Sequence, residues 1–96
     1  MNTSEFKKIV GAPHVTEPII LEPGLYDAKG GIIHADCGII ISSANVTLRN
    51  ATVYGCITVT GRSAVVQNCK IKSESHAFLV AATDTVIRQN DIDAPS

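Results

Sequence analysis

The segment IIISSANVTLRNATV, residues 39–53, decides the fold of this chain. Two short apolar runs, residues 39–41 and 46–48, flank the turn-forming residues 42–45, and another apolar position follows at Val53. Within each run the like positions are two residues apart, which is the period of a β-strand and not of a helix. The segment therefore predicts very short strands joined by tight turns.

The same arrangement recurs along the chain at repeat lengths of 20, 18 and 21 residues. Hairpin turns of the Asn-Gly type are missing, so a translational repeat fits better than a meander of hairpins. Short strands that stack on like strands of the next repeat indicate a solenoid. The predicted columns are Ile19, Ile39, Ile57 and Phe78, then Tyr26, Val46, Ala64 and Thr85, and last Ile33, Val53, Ile71 and Ile92.

Residues 46–53, 64–71 and 85–92 resemble the repeats of right-handed parallel β-helix proteins, the superfamily of pectate lyases and phage tailspikes. Residues 19–26 are similar to the entry into the first coil in those proteins. The resemblance implies an all-β fold, a single-stranded right-handed parallel β-helix of about four coils over residues 19–96. It implies no single activity, because the superfamily includes enzymes, adhesins and virion parts.

The first 18 residues differ from the repeats and are expected to form an N-terminal arm or cap. Residues 4–10 predict a short helix with Ser4 as its N-cap and Gly11 at its end. Phe6, Ile9 and Val10 would share one face of that helix. This face would either cover the first coil or anchor the chain to a larger assembly, and a flexible arm is the alternative.

Bulk composition narrows the functional class. The chain has 96 residues and a net charge of −1, which indicates one small domain, and the absence of a basic cluster argues against nucleic-acid binding. No apolar run approaches the ~20 residues of a membrane span, and the N-terminus lacks the apolar core of a signal peptide. Cys37, Cys56 and Cys69 match no zinc pattern and are expected to be buried and reduced.

Two sets of polar residues share columns in the predicted repeat. Asn50 and Asn68 lie at the bend between the second and third strands, where asparagine tolerates a left-handed backbone, so we expect a structural amide ladder. Lys29, Arg49 and Arg88 are assigned to a neighbouring column. A solvated turn explains these cations, with saccharide contact as the alternative.

Residues for catalysis or metal binding do not converge in the predicted repeat. His14, His34 and His76 fall at different column positions, so no metal site is expected. No carboxylate pair suits glycoside hydrolysis, and no nucleophile lies beside one of the histidines. We therefore predict a protein that is not an enzyme and uses no cofactor.

Apolar residues also occupy positions that should point outward. A stacked apolar column forms a contiguous surface patch, and such patches mark interfaces. We expect a homotrimer of solenoids packed side by side, in a virion component such as a capsid decoration or spike protein, assembled in the host cytoplasm. The alternative is a carbohydrate-binding or polysaccharide-lyase-like module that contacts a surface polysaccharide. The predicted interface residues are Ile20, Ile40, Leu79, Val65 and Val86.

Overall fold

A computed structural model of the chain describes residues 1–73, 78–81, 84–88 and 90–93. One helix, α1 (Thr3–Ile9), precedes the strands, which follow in four sets of three that we call coils 1 to 4. Coil 1 holds β1 (Ile19–Ile20), β2 (Gly24–Asp27) and β3 (Ile32–His34), and coil 2 holds β4 (Ile39–Ile41), β5 (Val46–Arg49) and β6 (Thr52–Tyr54). Coil 3 holds β7 (Ile57–Val59), β8 (Val65–Gln67) and β9 (Lys70–Lys72), and coil 4 holds β10 (Phe78–Val80), β11 (Val86–Arg88) and β12 (Asp91–Asp93).

Every strand pairs in parallel with the equivalent strand of the next coil. The first sheet has the order β1-β4-β7-β10, the second β2-β5-β8-β11 and the third β3-β6-β9-β12. This pairing confirms the predicted all-β parallel solenoid. It amounts to about three turns, against the four coils expected, because coil 4 is described in its strands and not in all of its connections.

The register confirms the first and third predicted columns and corrects the second. Ile19 pairs with Ile39, and Ile33 with Val53, as expected. Tyr26, however, pairs with Leu48 and not with Val46. In coil 1 the turn before β2 is two residues shorter than in coil 2, and the turn after β2 is two residues longer. The two differences cancel, so the repeat length of 20 conceals them.

The interior is a stack of aliphatic side chains that repeat from coil to coil. Ile39, Leu48 and Val53 of coil 2 are fully buried, and so are their partners in coil 3. Among the described residues no polar or charged residue is buried. The fold is therefore stabilised by apolar burial, about 1.5–3 kcal/mol for each such side chain, and by the backbone hydrogen bonds of the three sheets.

The helix α1 closes the N-terminal end of the stack. It begins after Asn2, whose side chain accepts a hydrogen bond from Glu5 N at 2.9 Å, while the Glu5 carboxylate accepts one from Asn2 N. This capping box makes Asn2 the N-cap, so the assignment of Ser4 was wrong. Phe6 and Ile9 are buried in the core, and the described part of the chain has no helix long and apolar enough to cross a membrane.

Tyr26 joins the helix to coil 1. Its ring meets Phe6 edge to face, with the centroids 5.1 Å apart. Its hydroxyl donates to the carbonyl oxygens of Glu22 at 2.6 Å and Met1 at 2.9 Å. Burial of the phenol, with the Glu22 carboxylate nearby, raises the pKa of Tyr26.

The other end of the stack presents its core side chains to solvent. Val80, Ile87 and Ile92 are 46%, 37% and 49% exposed, although their partners one coil earlier are fully buried. No described residue stacks on coil 4, so these inward positions lack the layer that covers every other coil. The solenoid therefore has one closed end and one open end.

Candidate interaction surfaces

The first sheet carries part of the predicted interface on its outer side. Ile20 is 48% exposed and lies beside Ile40, which is half-buried. Thr58 continues this outward row in coil 3. Leu79 is its register partner in coil 4, and the side chain of Leu79 lies outside the described part of the chain. The described apolar surface here thus consists of the two isoleucines of coils 1 and 2.

The second sheet carries the rest of the predicted interface. Val65 is half-buried and pairs with Val86, which is 40% exposed. The corrected register places Leu25, 49% exposed, in this row with Thr47, where the sequence analysis had placed Asp27. The row is therefore more apolar than predicted. We call the outward rows of the first and second sheets the lateral face; its apolar members are Ile20, Ile40, Leu25, Val65 and Val86.

The predicted amide ladder is present at the turn between the second and third sheets. Asn50 and Asn68 both have a left-handed backbone, with φ of 57° and 52°. The Asn68 amide nitrogen donates to Oδ1 of Asn50 at 2.6 Å, and the Asn50 amide nitrogen donates to Oδ1 of Asp27 at 3.1 Å. The ladder thus ends on a carboxylate, which the sequence analysis missed because it had the register of coil 1 wrong.

Asp27 gathers hydrogen bonds that favour its ionised form. The backbone N–H of Lys29 donates to it at 2.8 Å, the Asn50 amide donates to the same oxygen, and Arg49 Nε donates to the other oxygen at 3.2 Å. The Lys29 N–H first, then the Asn50 amide and the Arg49 guanidinium, hold the pKa of Asp27 below its usual range. Arg49 is therefore already paired within the chain.

The predicted column of three cations does not exist. By register the column is Asp27, Arg49, Gln67 and Arg88. Lys29 lies in the following turn with a left-handed backbone, φ 53°. Nε of Arg88 donates to the Gln67 side chain at 2.9 Å. Of the three proposed saccharide contacts, then, two already bond to neighbouring side chains and the third faces a different surface.

That different surface is an open groove of about 410 Å³ beside the amide ladder. It has two lysines and two asparagine amides, and no carboxylate belongs to its lining. Cationic and amide donors of this kind suit an anionic group such as a carboxylate or sulfate. Lys70 was missed by the sequence analysis, although its place next to the buried Ile71 marks it as an outward residue. The groove is lined by Lys29, Gly30, Asn50, Ala51, Thr52, Asn68 and Lys70.

A column of rings crosses the third sheet and the arm. Val15 bridges to Ala35, which places His14 next to His34 with ring centroids 6.0 Å apart. His34 stacks on Tyr54 at 5.0 Å, and Lys72 Nζ lies 5.7 Å from the Tyr54 ring centre. Sequence reasoning separated His14 from His34, and extending the 20-residue spacing into the arm would have joined them. His76 lies outside the described residues, within which no three metal-ligating side chains cluster.

The cysteines differ in environment. Cys69 is buried as predicted, and its burial raises the pKa of its thiol. The prediction was wrong for Cys37, which is exposed, and for Cys56, which is half-buried. Both lie in the turns between the third and first sheets, where a side chain does not have to face the core.

Comparison with models of protein families, with curated protein sequences and with solved structures finds no match to this chain. The chain's own geometry offers three surfaces on which a function can be built. They are the apolar lateral face, the cationic groove beside the amide ladder, and the open end of the solenoid.

Proposed function

We propose that this chain is a non-enzymatic assembly module that packs side by side with copies of itself through the lateral face, most simply as a homotrimer. The observation that carries the proposal is the exposure of Ile20, Leu25 and Val86 on two sheets that follow one another around the coil. Each residue is a large aliphatic side chain at an outward register position. Rows of this kind form a surface that a neighbouring solenoid can cover.

The rigidity of the solenoid favours this use. Strands within a sheet lie about 4.8 Å apart, so outward side chains form evenly spaced rows that lose little conformational entropy on association. Burying the exposed half of one isoleucine or leucine contributes about 1 kcal/mol. A stable interface needs roughly 800 Å² from each partner, which requires both rows and their polar surroundings. Cyclic symmetry would let every protomer use the same face.

The resemblance of the repeats to those of phage tailspikes supports placing such an assembly in a virion, as a capsid decoration or spike protein assembled in the host cytoplasm. The N-terminal helix serves this assembly as a cap, because Phe6 and Ile9 are buried in the chain's own core. Those two side chains are not free to anchor a particle. Val10, partly buried against the core, is the remaining predicted anchor residue.

The oligomeric state of the purified chain tests the proposal. We expect sedimentation velocity at micromolar concentration to show lateral trimers that Ile20→Asp dissociates. Ile32→Asp is the matched control, because Ile32 is an equally large exposed aliphatic residue on the third sheet. A chain without lateral assembly, or equal effects of the two substitutions, would contradict the proposal.

The cationic groove supports a second candidate function, the binding of an acidic polysaccharide, with lyase-like turnover as its enzymatic form. Lys29 and Lys70 are the groove's cations, and they replace Arg49 and Arg88 as the residues to test. Lys29→Ala and Lys70→Ala should weaken binding of a sulfated or uronic-acid oligosaccharide in a salt-dependent way. Lys8→Ala, on the exposed surface of α1, is the control. An array of acidic glycans that shows neither binding nor cleavage, with Ca²⁺ present, would remove this candidate.

A further inference from the structure

We propose that the open end of the solenoid docks against the same end of a second copy of this chain, in a two-fold symmetric, end-to-end dimer. This contact is separate from the lateral face. Its apolar part consists of Val80, Ile87 and Ile92, whose register partners in coil 3 are fully buried. Core residues exposed together at one end of a stack form a surface shaped to receive another layer.

The backbone at this end is also unpaired. In the described sheets, β10, β11 and β12 each have a neighbouring strand on one side only. The free edge of a strand presents N–H and C=O groups that can pair with another strand. Three such edges surround the apolar centre, so an incoming layer can gain hydrogen bonds and apolar contact at once.

The closed end decides which part of a second copy can dock here. Over coil 1, α1 packs against β2, the Gly11 N–H donates to the Ile32 carbonyl at 2.7 Å, and Val15 N–H donates to the His34 carbonyl at 2.9 Å. Residues before β1 therefore occupy the position that a stacked coil would take. A head-to-tail contact is blocked, and only open end against open end remains. Such an isologous contact closes as a dimer and does not propagate into a filament.

Charge selects the register of that dimer. A two-fold axis through β10 places β11 of one copy antiparallel to β12 of the other. Ile87 then meets Ile92, and Arg88 meets a strand that carries two aspartates, Asp91 and Asp93. An axis through β12 would instead set these aspartates against their own copies, which is unfavourable. Arg88 is exposed in the single chain, and its one hydrogen bond to Gln67 leaves guanidinium donors free for a carboxylate.

The test separates this contact from lateral assembly by working in an Ile20→Asp background. Sedimentation velocity at protein concentrations on the order of 100 µM should show a dimer, since a small end-on interface gives weak affinity. Arg88→Asp should weaken the dimer on the order of 100-fold, because symmetry repeats the contact twice. Arg62→Asp, at an exposed arginine in the turn before β8, should leave it unchanged.

A charge exchange completes the test. Adding Asp91→Arg and Asp93→Arg to the Arg88→Asp chain should restore the dimer, and circular dichroism should show the same fold in every variant. A monomer in the Ile20→Asp background, or a dimer that survives Arg88→Asp, would overturn the proposal. If the lateral face fails and this contact holds, the unsubstituted chain will be a dimer. If both hold, it will be a hexamer built from two trimers.

Discussion

Replacing Phe6 by alanine should release α1 from coil 1 and destabilise the whole chain. Phe6 is 2% exposed, and its ring meets Tyr26 at an interplanar angle of 70°. The substitution removes both the buried surface and this edge-to-face contact. It therefore tests whether the helix is a structural cap or an appendage.

The magnitude follows from the burial. Phe→Ala substitutions in cores cost about 3–5 kcal/mol. The helix lies at one end of the stack and can shift to fill part of the space, which places the expected loss near 3 kcal/mol. For a domain of this size that loss lowers Tm by about 12–24 °C. If the helix undocks on its own before the coils unfold, Ile9 is released with it and the measured loss is limited to the docking energy of α1.

Urea denaturation followed by circular dichroism measures the free energy of unfolding, and hydrogen exchange over α1 distinguishes local undocking from global unfolding. Lys7→Ala is the control, because Lys7 is exposed on the same helix. A Phe6→Ala chain within about 0.5 kcal/mol of the Lys7→Ala chain would refute the assignment of α1 as the cap.

Three further predictions concern the turns. Asn68→Ala should cost about 1–2 kcal/mol in thermal denaturation, and Asn68→Gly less, since glycine keeps the left-handed backbone and loses only the bond to Asn50; equal losses would show that backbone strain is unimportant there. The pKa of Asp27 is lowered on folding, so its contribution to stability is present above the unfolded pKa of about 3.9 and is lost as pH falls through the folded value; Asp27→Asn should flatten the acid limb of a Tm-against-pH curve, and an unchanged limb would contradict this. Gly61→Ala should destabilise by more than about 2 kcal/mol in urea denaturation, because the added Cβ overlaps the Ser43 carbonyl, and a neutral effect would mean that this turn can move apart.

The interaction surfaces were predictable to different degrees. The amide ladder followed from the residue type, because Asn50 and Asn68 fall at equivalent bends and asparagine suits a left-handed backbone. The cation column did not, because a two-residue exchange between turns moved Lys29 away from Arg49 and brought Asp27 to it. Lateral apolar rows were visible from alternation alone, whereas Leu25 needed the true register of β2.

The sequence by itself determined that this chain stacks. Apolar residues two positions apart within runs, repeated at 20, 18 and 21 residues, are a local property that selects strands and a translational repeat, and the first and third sheets pair accordingly. Only the tertiary structure decided the register of β2, the contact of His14 with His34, and the difference between the two ends. The physical reason is that compensating turn lengths leave the period unchanged. Whether Ile9 or Ile92 is covered likewise depends on what stacks above it and not on its own neighbours in sequence.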